Sequence, residues 1–479
     1  MTSAAFWFAV RVHRWRITAG VVVLMVLVAG AAIWLSRSSG ADIRDDLVAE
    51  FGDTYRSEPA ATDTSTAIEL VASPSVAQVL PGADTDVWAF NGTVPGPALR
   101  LRLGETIRVE LDNQLPVPTT IHWHGIRVPN TMDGVPAVTQ DPVLPGDRQV
   151  YEFAPPDAGT FWYHSHTNGS EQLERGLYGS LVVTDPTEPT WSQDIEWVID
   201  DWLLTDTGQI DPDFNTASDV EHNGRWGDIV SVNGSTERVL SAQPGERIRL
   251  RLINASNGRI YAPRFGALDA SVAAVDGLPS RQVLPADGFV IAPGNRIDVD
   301  LVIPDQTGTY PVVDDFTGDI FHLATIDVTG EPVATPDFAA PLDPDLPVWA
   351  EATGLDVDQE YRLNIRRGDG RWEWTMNDRA YPDADVFEIA AGTFTKIRLI
   401  NDSQLLHPMH LHGQFFKVLS RNGQPIDEGH FRDTVLLLPG DEIDIGLVAL
   451  DAGTWAFHCH IQEHAEAGMM TLVDVSERT

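Results

Sequence analysis

The single cysteine of this 479-residue chain, Cys459, stands in His458-Cys459-His460, with His464 and Met469 five and ten residues further on. A thiolate, imidazoles and a thioether at such short spacing form the soft ligand set of a blue-copper electron-transfer site. The chain has 14 histidines, and ten of them fall in four short clusters. These are His122-Trp123-His124, His164-Ser165-His166, His407-Pro408-Met409-His410-Leu411-His412, and the run from His458 to His464. On an extended strand, His-x-His puts both imidazoles on one face, because side chains alternate with period two. In His458-Cys459-His460 the same alternation turns the cysteine to the face opposite its neighbours. One strand then serves a copper site on one side and a second metal site on the other. A lone His-x-His pair is more often an ordinary surface or core feature. Four clusters, one of them wrapped around the sole cysteine, are not independent accidents.

The elements that must position these side chains are visible as an internal repeat. Leu103-Gly104-Glu105-Thr106-Ile107-Arg108-Val109-Glu110-Leu111-Asp112-Asn113 is echoed by the stretches ending at Asn254 and Asn401. Each is a turn followed by an alternating strand that closes on a turn-favouring asparagine. A Pro-Gly turn follows in each unit (Pro145-Gly146, Pro293-Gly294, Pro439-Gly440), then Gly-Thr-aromatic at Gly159, Gly308 and Gly453. The asparagines are 141 and 147 residues apart, which suits three tandem domains of ordinary size.

The histidines obey this repeat. His122 and His124 follow Asn113 by 9 and 11 residues, as His410 and His412 follow Asn401. His164 and His166 follow Pro145 by 19 and 21, as His458 and His460 follow Pro439. The outer domains therefore present matching quartets, and a shared eight-histidine site between them is inferred from spacing alone. The middle domain lacks these histidines and reads as a spacer. Short strands punctuated by Gly and Pro predict an all-β chain of Greek-key β-sandwiches. A short helix is expected after Cys459, where residues 461–467 lack breakers.

On these motifs the chain resembles the multicopper oxidases, specifically the three-domain bacterial laccase-like enzymes, over roughly residues 65 to 476. The resemblance implies three tandem cupredoxin-like domains: 65–187 and 345–476 contributing to copper sites, and 188–332 copper-free. It implies four copper ions, one type 1, one type 2 and two type 3. The type 1 ion would take His407, Cys459 and His464, with Met469 axial. The type 2 ion would take His122 and His410, and the type 3 pair His124, His164, His166, His412, His458 and His460. The implied reaction is four one-electron oxidations of a small reductant, coupled to four-electron reduction of dioxygen to water. Asp133, in Met132-Asp133-Gly134, matches an acid that in relatives helps deliver protons. A glutamate that many bacterial relatives carry directly after the second type 1 histidine is replaced here by Ala465, with Glu463 and Glu466 nearby.

Formal net charge is −38. The first 40 residues carry four arginines and no acid, which leaves 28 basic against 70 acidic residues, or −42. Such a surface disfavours nucleic acid as a partner. Residues 17–35 are uncharged and mostly apolar behind Arg11, Arg14 and Arg16, and predict a membrane anchor or signal segment over 1–36. The catalytic part would then face the extracytoplasmic side, periplasmic or cell-surface, or be secreted if the segment is cleaved. Residues 37–64, rich in small and polar side chains, read as a flexible tether.

Phenols or aromatic amines are the expected reductants, with a metallo-oxidase of ferrous, manganous or cuprous ions in metal tolerance as the alternative. Seven methionines with no methionine-rich segment disfavour cuprous ions. A passive blue-copper carrier would leave eight histidines without purpose, and a copper-free structural relative would not keep the ligand set.

Overall fold

Alternation of apolar and polar residues, broken by Gly and Pro turns, dictates strands too short to stand alone, so they pair into sheets that bury one face each. The computed structural model describes residues 43–52, 55, 64–188, 190–337, 347–368 and 370–477, and six sheets run through them. In the first stretch, strands Ser65–Leu80, Ala83–Phe90, Thr106–Asn113 and Arg148–Phe153 form one sheet. Leu99–Arg102, His122–His124, Gly159–His164 and Tyr178–Thr184 form the sheet facing it. The middle stretch pairs a six-stranded with a four-stranded sheet, and the last pairs a six-stranded with a five-stranded one. Each pair encloses its own core, around Val109 and Trp123, Leu250 and Val299, and Trp455 and Phe457 respectively. The fold is all-β and cupredoxin-like.

The repeated asparagines do more than end a strand. Asn113, Asn254 and Asn401 are buried, and each donates from Nδ2 to two backbone carbonyls: Val117 and Val143, Arg259 and Ile291, Leu405 and Leu438. Each Oδ1 accepts the backbone N–H two residues on. Each backbone carbonyl also accepts from the Pro-Gly glycine, Gly146, Gly294 or Gly440. The two echoes in the sequence are therefore the two sides of one clamp. A buried amide left half-satisfied costs about 1–3 kcal/mol, so the clamp fixes the loop that leads to the histidine strands.

Helices are short: Gly169–Glu174 (α2), Ala217–Glu221 (α3), Pro347–Glu351 (α4) and Gln462–Glu466 (α5), behind a helix at residues 43–52 (α1). The last, α5, follows Cys459 where a short helix is expected. The tether expected over 37–64 is corrected in its described part, because α1 buries Leu47 and Phe51 against Trp349, Phe415 and Phe431. Apolar residues spaced four apart, Ile43, Leu47 and Phe51, form the stripe that docks. The apolar stretch 17–35 lies outside the described residues. Among those described, no helix is long and apolar enough to cross a membrane.

Candidate metal centres

The strands His122–His124 and Gly159–His164 pair with His122 opposite His164, and His407–Leu411 pairs with Gly453–Cys459 with His410 opposite His458. Both pairs end at the seam between the first and last stretches, so the register itself delivers the two imidazole quartets to one place. His122 stacks on His412 at 3.8 Å between ring centroids, and His124 on His410 at 3.8 Å. Three triads each bring their ligand atoms within 4.8 Å of one another: His122, His124 and His410; His124, His164 and His460, sharing His124 with the first; and His166, His412 and His458.

Hydrogen bonds fix which nitrogen of each ring faces inward. The Nδ1–H groups of His122, His164, His410 and His458 donate to the carbonyls of Asp133, Ser165, Asp433 and Cys459 at 2.8–3.1 Å. That of His412 donates to Asp133 Oδ2 at 2.9 Å. Such bonds set the tautomer and aim the Nε2 lone pair at the centre. The Nε2 atoms of His412 and His458, both bound to these outer partners through Nδ1, then face each other at 3.0 Å. Two lone pairs at that distance repel unless a cation lies between them. The buried Nε2 atoms of His122, His164 and His410, and both nitrogens of His124 and His460, make no hydrogen bond within the protein. Burial, with mutual repulsion among the rings, holds His124, His164, His166, His412, His458 and His460 well below the usual imidazole range, so these rings are neutral donors. A buried cage of unpartnered lone pairs fits transition-metal ions and little else.

The second centre lies across the strand. Cys459 Sγ stands 3.7 Å from the Nδ1 atoms of both His407 and His464, which are 3.2 Å apart. Here it is Nε2 that is tied back: His464 donates to the His222 carbonyl at 2.6 Å, and His407 bonds Ser403 Oγ at 2.8 Å. Ser403 in turn donates to Asn401 Oδ1 at 2.7 Å, which connects this site to the repeat clamp. Burial pushes the Cys459 thiol up and lowers His464 to about 3, so the ring is neutral, whereas the thiol ionises only when a cation compensates it. Met469 is buried in the same core as Cys459, and its backbone carbonyl accepts from the Cys459 N–H at 3.0 Å.

The structure brings eleven of the twelve predicted ligand residues into these two centres, Met469 into the core beside Cys459, and Asp133 to the edge of the larger centre. The Asp133 carboxylate also lies 3.2 Å from His122 Nδ1, so it holds two rings from opposite outer domains. What the sequence does not reveal is a second such acid, Asp433, 3.3 Å from His410 Nδ1 and 3.3 Å from His124 Nε2. Arg296, from the middle stretch, donates to both its oxygens at 3.0 and 2.7 Å. Beside it Gly294, at φ +87, packs where a Cβ would meet the rings of His460 and His124 at 2.9 and 3.0 Å. The middle stretch is therefore no mere spacer: it braces the cluster. The signal was present in the repeat, because Gly294 occupies its Pro-Gly position.

Comparison with known proteins agrees with this geometry. Residues 72–188, 194–328 and 355–479 each match a family model described as multicopper oxidase. The multicopper oxidase MmcO of Mycobacterium tuberculosis is 30% identical over 459 residues, covering 87% of this chain and 89% of its own length. Copper resistance protein A of Escherichia coli is 26% identical, covering 83% and 90%. A crystal structure of a multi-copper oxidase from Pseudomonas thermotolerans superposes with TM-score 0.76 at 32% identity, over 87% of this chain and all (100%) of that one. A Campylobacter jejuni multicopper oxidase described as a metallo-oxidase shares the fold, with TM-score 0.73 at 24% identity, over 88% of this chain and 93% of that one.

Proposed function

The chain belongs to the multicopper oxidase family and is a copper-dependent oxidase, and on that premise we propose that it is laccase-like, oxidising phenols or aromatic amines with dioxygen as acceptor. Four coppers would be held as the residues divide them. His407, Cys459, His464 and Met469 would hold the type 1 ion, His122 and His410 the type 2 ion, and the remaining six cluster histidines the type 3 pair. Copper so held supplies one-electron redox chemistry on one side of the strand and dioxygen binding on the other.

The chain's own part is positional. Cys459 is joined to both type 3 halves through His458 and His460, and the His458 Nδ1–H to Cys459 carbonyl bond, 2.8 Å, shortens one of the two routes. Asp133 and Asp433 hold imidazoles from both outer domains in register. Asp133 is also the acid placed to pass a proton toward the cluster, since its carboxylate touches both His122 and His412.

The observation that carries the choice of reductant is what surrounds the type 1 residues. Among the described residues, the five groups of His, Cys, Asp or Glu able to hold a metal ion all lie within the two centres themselves. Asp402, the acid ahead of His407, is engaged by Arg362 at 3.0 Å. Met376, Met409, Met469 and Met470 are buried and Met132 half-buried, so no described methionine is exposed to take a cuprous ion. The second reading, a metallo-oxidase in metal tolerance, draws support from relatives named as copper resistance proteins. Oxygen uptake with 2,6-dimethoxyphenol, compared with uptake on ferrous and cuprous ions, tests the choice: faster uptake with the metal ions would favour the second reading. An extracytoplasmic location, with residues 17–35 as anchor or signal, is part of the proposal.

A further inference from the structure

The type 1 residues all come from the last stretch, yet four consecutive residues of the middle stretch grip both loops that carry them. The His222 carbonyl accepts from His464 Nε2–H at 2.6 Å. Asn223 Oδ1 accepts the N–H of Leu406, next to His407, at 2.9 Å. Gly224, at φ +79, lies where a Cβ would meet Ile461 Cγ2 at 2.6 Å and Glu463 Oε2 at 2.7 Å. The Arg225 N–H donates to the same Glu463 oxygen at 3.1 Å. Resting on the type 1 assignment, we propose that residues 222–225 form an outer clamp on that site, and that Glu463 is the positioning residue that latches it.

Glu463 is fully buried in α5, between His460 and His464. Its Oε1 accepts from Ser170 Oγ at 2.6 Å and from Asn257 Nδ2 at 3.0 Å. Ser170 belongs to α2, just after His166, and Asn257 to the middle stretch, so one carboxylate joins all three stretches at the ligand loop. Three donors converge on its two oxygens. A glutamine of the same shape has one acceptor oxygen, and its NH2 must face a donor. The clamp is anchored behind as well. Arg225 is buried, and its guanidinium donates to the carbonyls of Asp211 and Asp213 at 2.7 and 2.8 Å. On the other side the loop leaves α3, whose start is fixed by a capping box between Thr216 and Asp219.

The clamp has an electronic consequence. An imidazole that donates its far N–H to a carbonyl is the more basic ligand through its other nitrogen, and its ring is held in one orientation. With the His222 carbonyl in place, His464 favours the cupric state through Nδ1. Withdrawing that carbonyl leaves a weaker donor, so the type 1 potential rises and copper is held less tightly. The middle stretch, which supplies no type 1 ligand, thereby tunes the site from outside.

The test works on the clamp from both sides in the copper-loaded protein. Glu463→Gln removes the latch, and Gly224→Ala drives a methyl group against it from the middle stretch. Both should raise the type 1 midpoint potential, read by redox titration of the blue absorption, and weaken copper retention against a chelator about tenfold. Glu466→Gln is the control. Glu466 accepts from Ser170 N–H and Asn215 Nδ2 at 2.8 and 2.9 Å, in the same helix but away from the loop, so both values should stay those of the parent. A further arm needs no variant: stripping copper from the parent should speed amide hydrogen exchange at residues 222–226. Parent potential and retention in blue Glu463→Gln and Gly224→Ala, an equal shift in Glu466→Gln, or exchange indifferent to copper would overturn the clamp alone. A copper-loaded parent without blue absorption would overturn the type 1 assignment and the clamp with it.

Discussion

Replacing Arg296 by methionine tests whether the middle domain braces the metal cluster. Arg296 is fully buried and donates to Asp433 at 3.0 and 2.7 Å, with further bonds to the carbonyls of Thr160, Gly294 and Asp276 at 2.9–3.1 Å. The guanidinium, with His410, holds the Asp433 carboxyl well below its ordinary range against the opposing effect of burial. Two charge-assisted bonds are lost, each worth roughly 1.5–3 kcal/mol. Part of that is recovered as Asp433 takes a proton, so the expected loss is that of a broken buried pair, roughly 3–5 kcal/mol. The assay is urea unfolding of the copper-free protein, followed by tryptophan fluorescence. Arg296→Lys keeps the charge but not the fork and should lose about half as much. Combining Arg296→Met with Asp433→Asn removes the stranded charge, so the double variant should be more stable than the sum of the two single losses predicts. Because Asp433 also touches His124 and His410, copper content at the cluster should fall while the blue absorption stays. A loss under about 1 kcal/mol for Arg296→Met, or strict additivity in the double variant, would refute the reasoning.

Three further outcomes follow from the two centres. Cys459→Ser should abolish the blue absorption and reductant oxidation while circular dichroism stays that of the parent; persisting blue colour would refute the type 1 assignment. His164→Ala should give a blue protein that oxidises one charge of reductant in stopped flow and then stalls, so continued steady-state oxygen uptake would remove the role given to the cluster. Copper-free protein should lose stability as pH falls below about 6.5, the unfolded imidazole value. Ten histidines have folded pKa values below that value, among them His464 at about 3, so the unfolded chain binds more protons in that window. Each contributes up to about 1.4 kcal/mol per pH unit. Glu174, raised to about 8, with Asp200, Asp201 and Asp276, also raised, run the opposite way and offset only part of the slope. Thermal midpoints of copper-free protein that rise on acidification from pH 6.5 to 5 would contradict this balance.

The chemistry was legible in the sequence because it is local. Period-two alternation puts His122 with His124, and Cys459 opposite His458 and His460, within three residues of chain, and the asparagine and Pro-Gly echoes mark the domain period directly. The reading of those asparagines as turn residues was too weak, since a turn preference is a property of one residue whereas the clamp is a set of four hydrogen bonds spanning a loop. The helix at residues 43–52 was missed for a similar reason. Its stripe of Ile43, Leu47 and Phe51 is too short to outweigh a polar composition until Trp349 and Phe431 are there to receive it.

By itself, then, the sequence determined which imidazoles and which thiol gather at the two centres, and that Cys459 turns to the face opposite His458, because backbone alternation and the domain repeat act through chain spacing. Only the tertiary structure decided that Asp133 holds His412 across 279 residues of chain, and that Arg296 reaches Asp433 across 137. It alone decided that the His222 carbonyl closes the polar edge of His464, across 242 residues. Such contacts carry no periodicity to read. They exist where packed cores bring distant surfaces together, and a buried charge or imidazole there must find its partner.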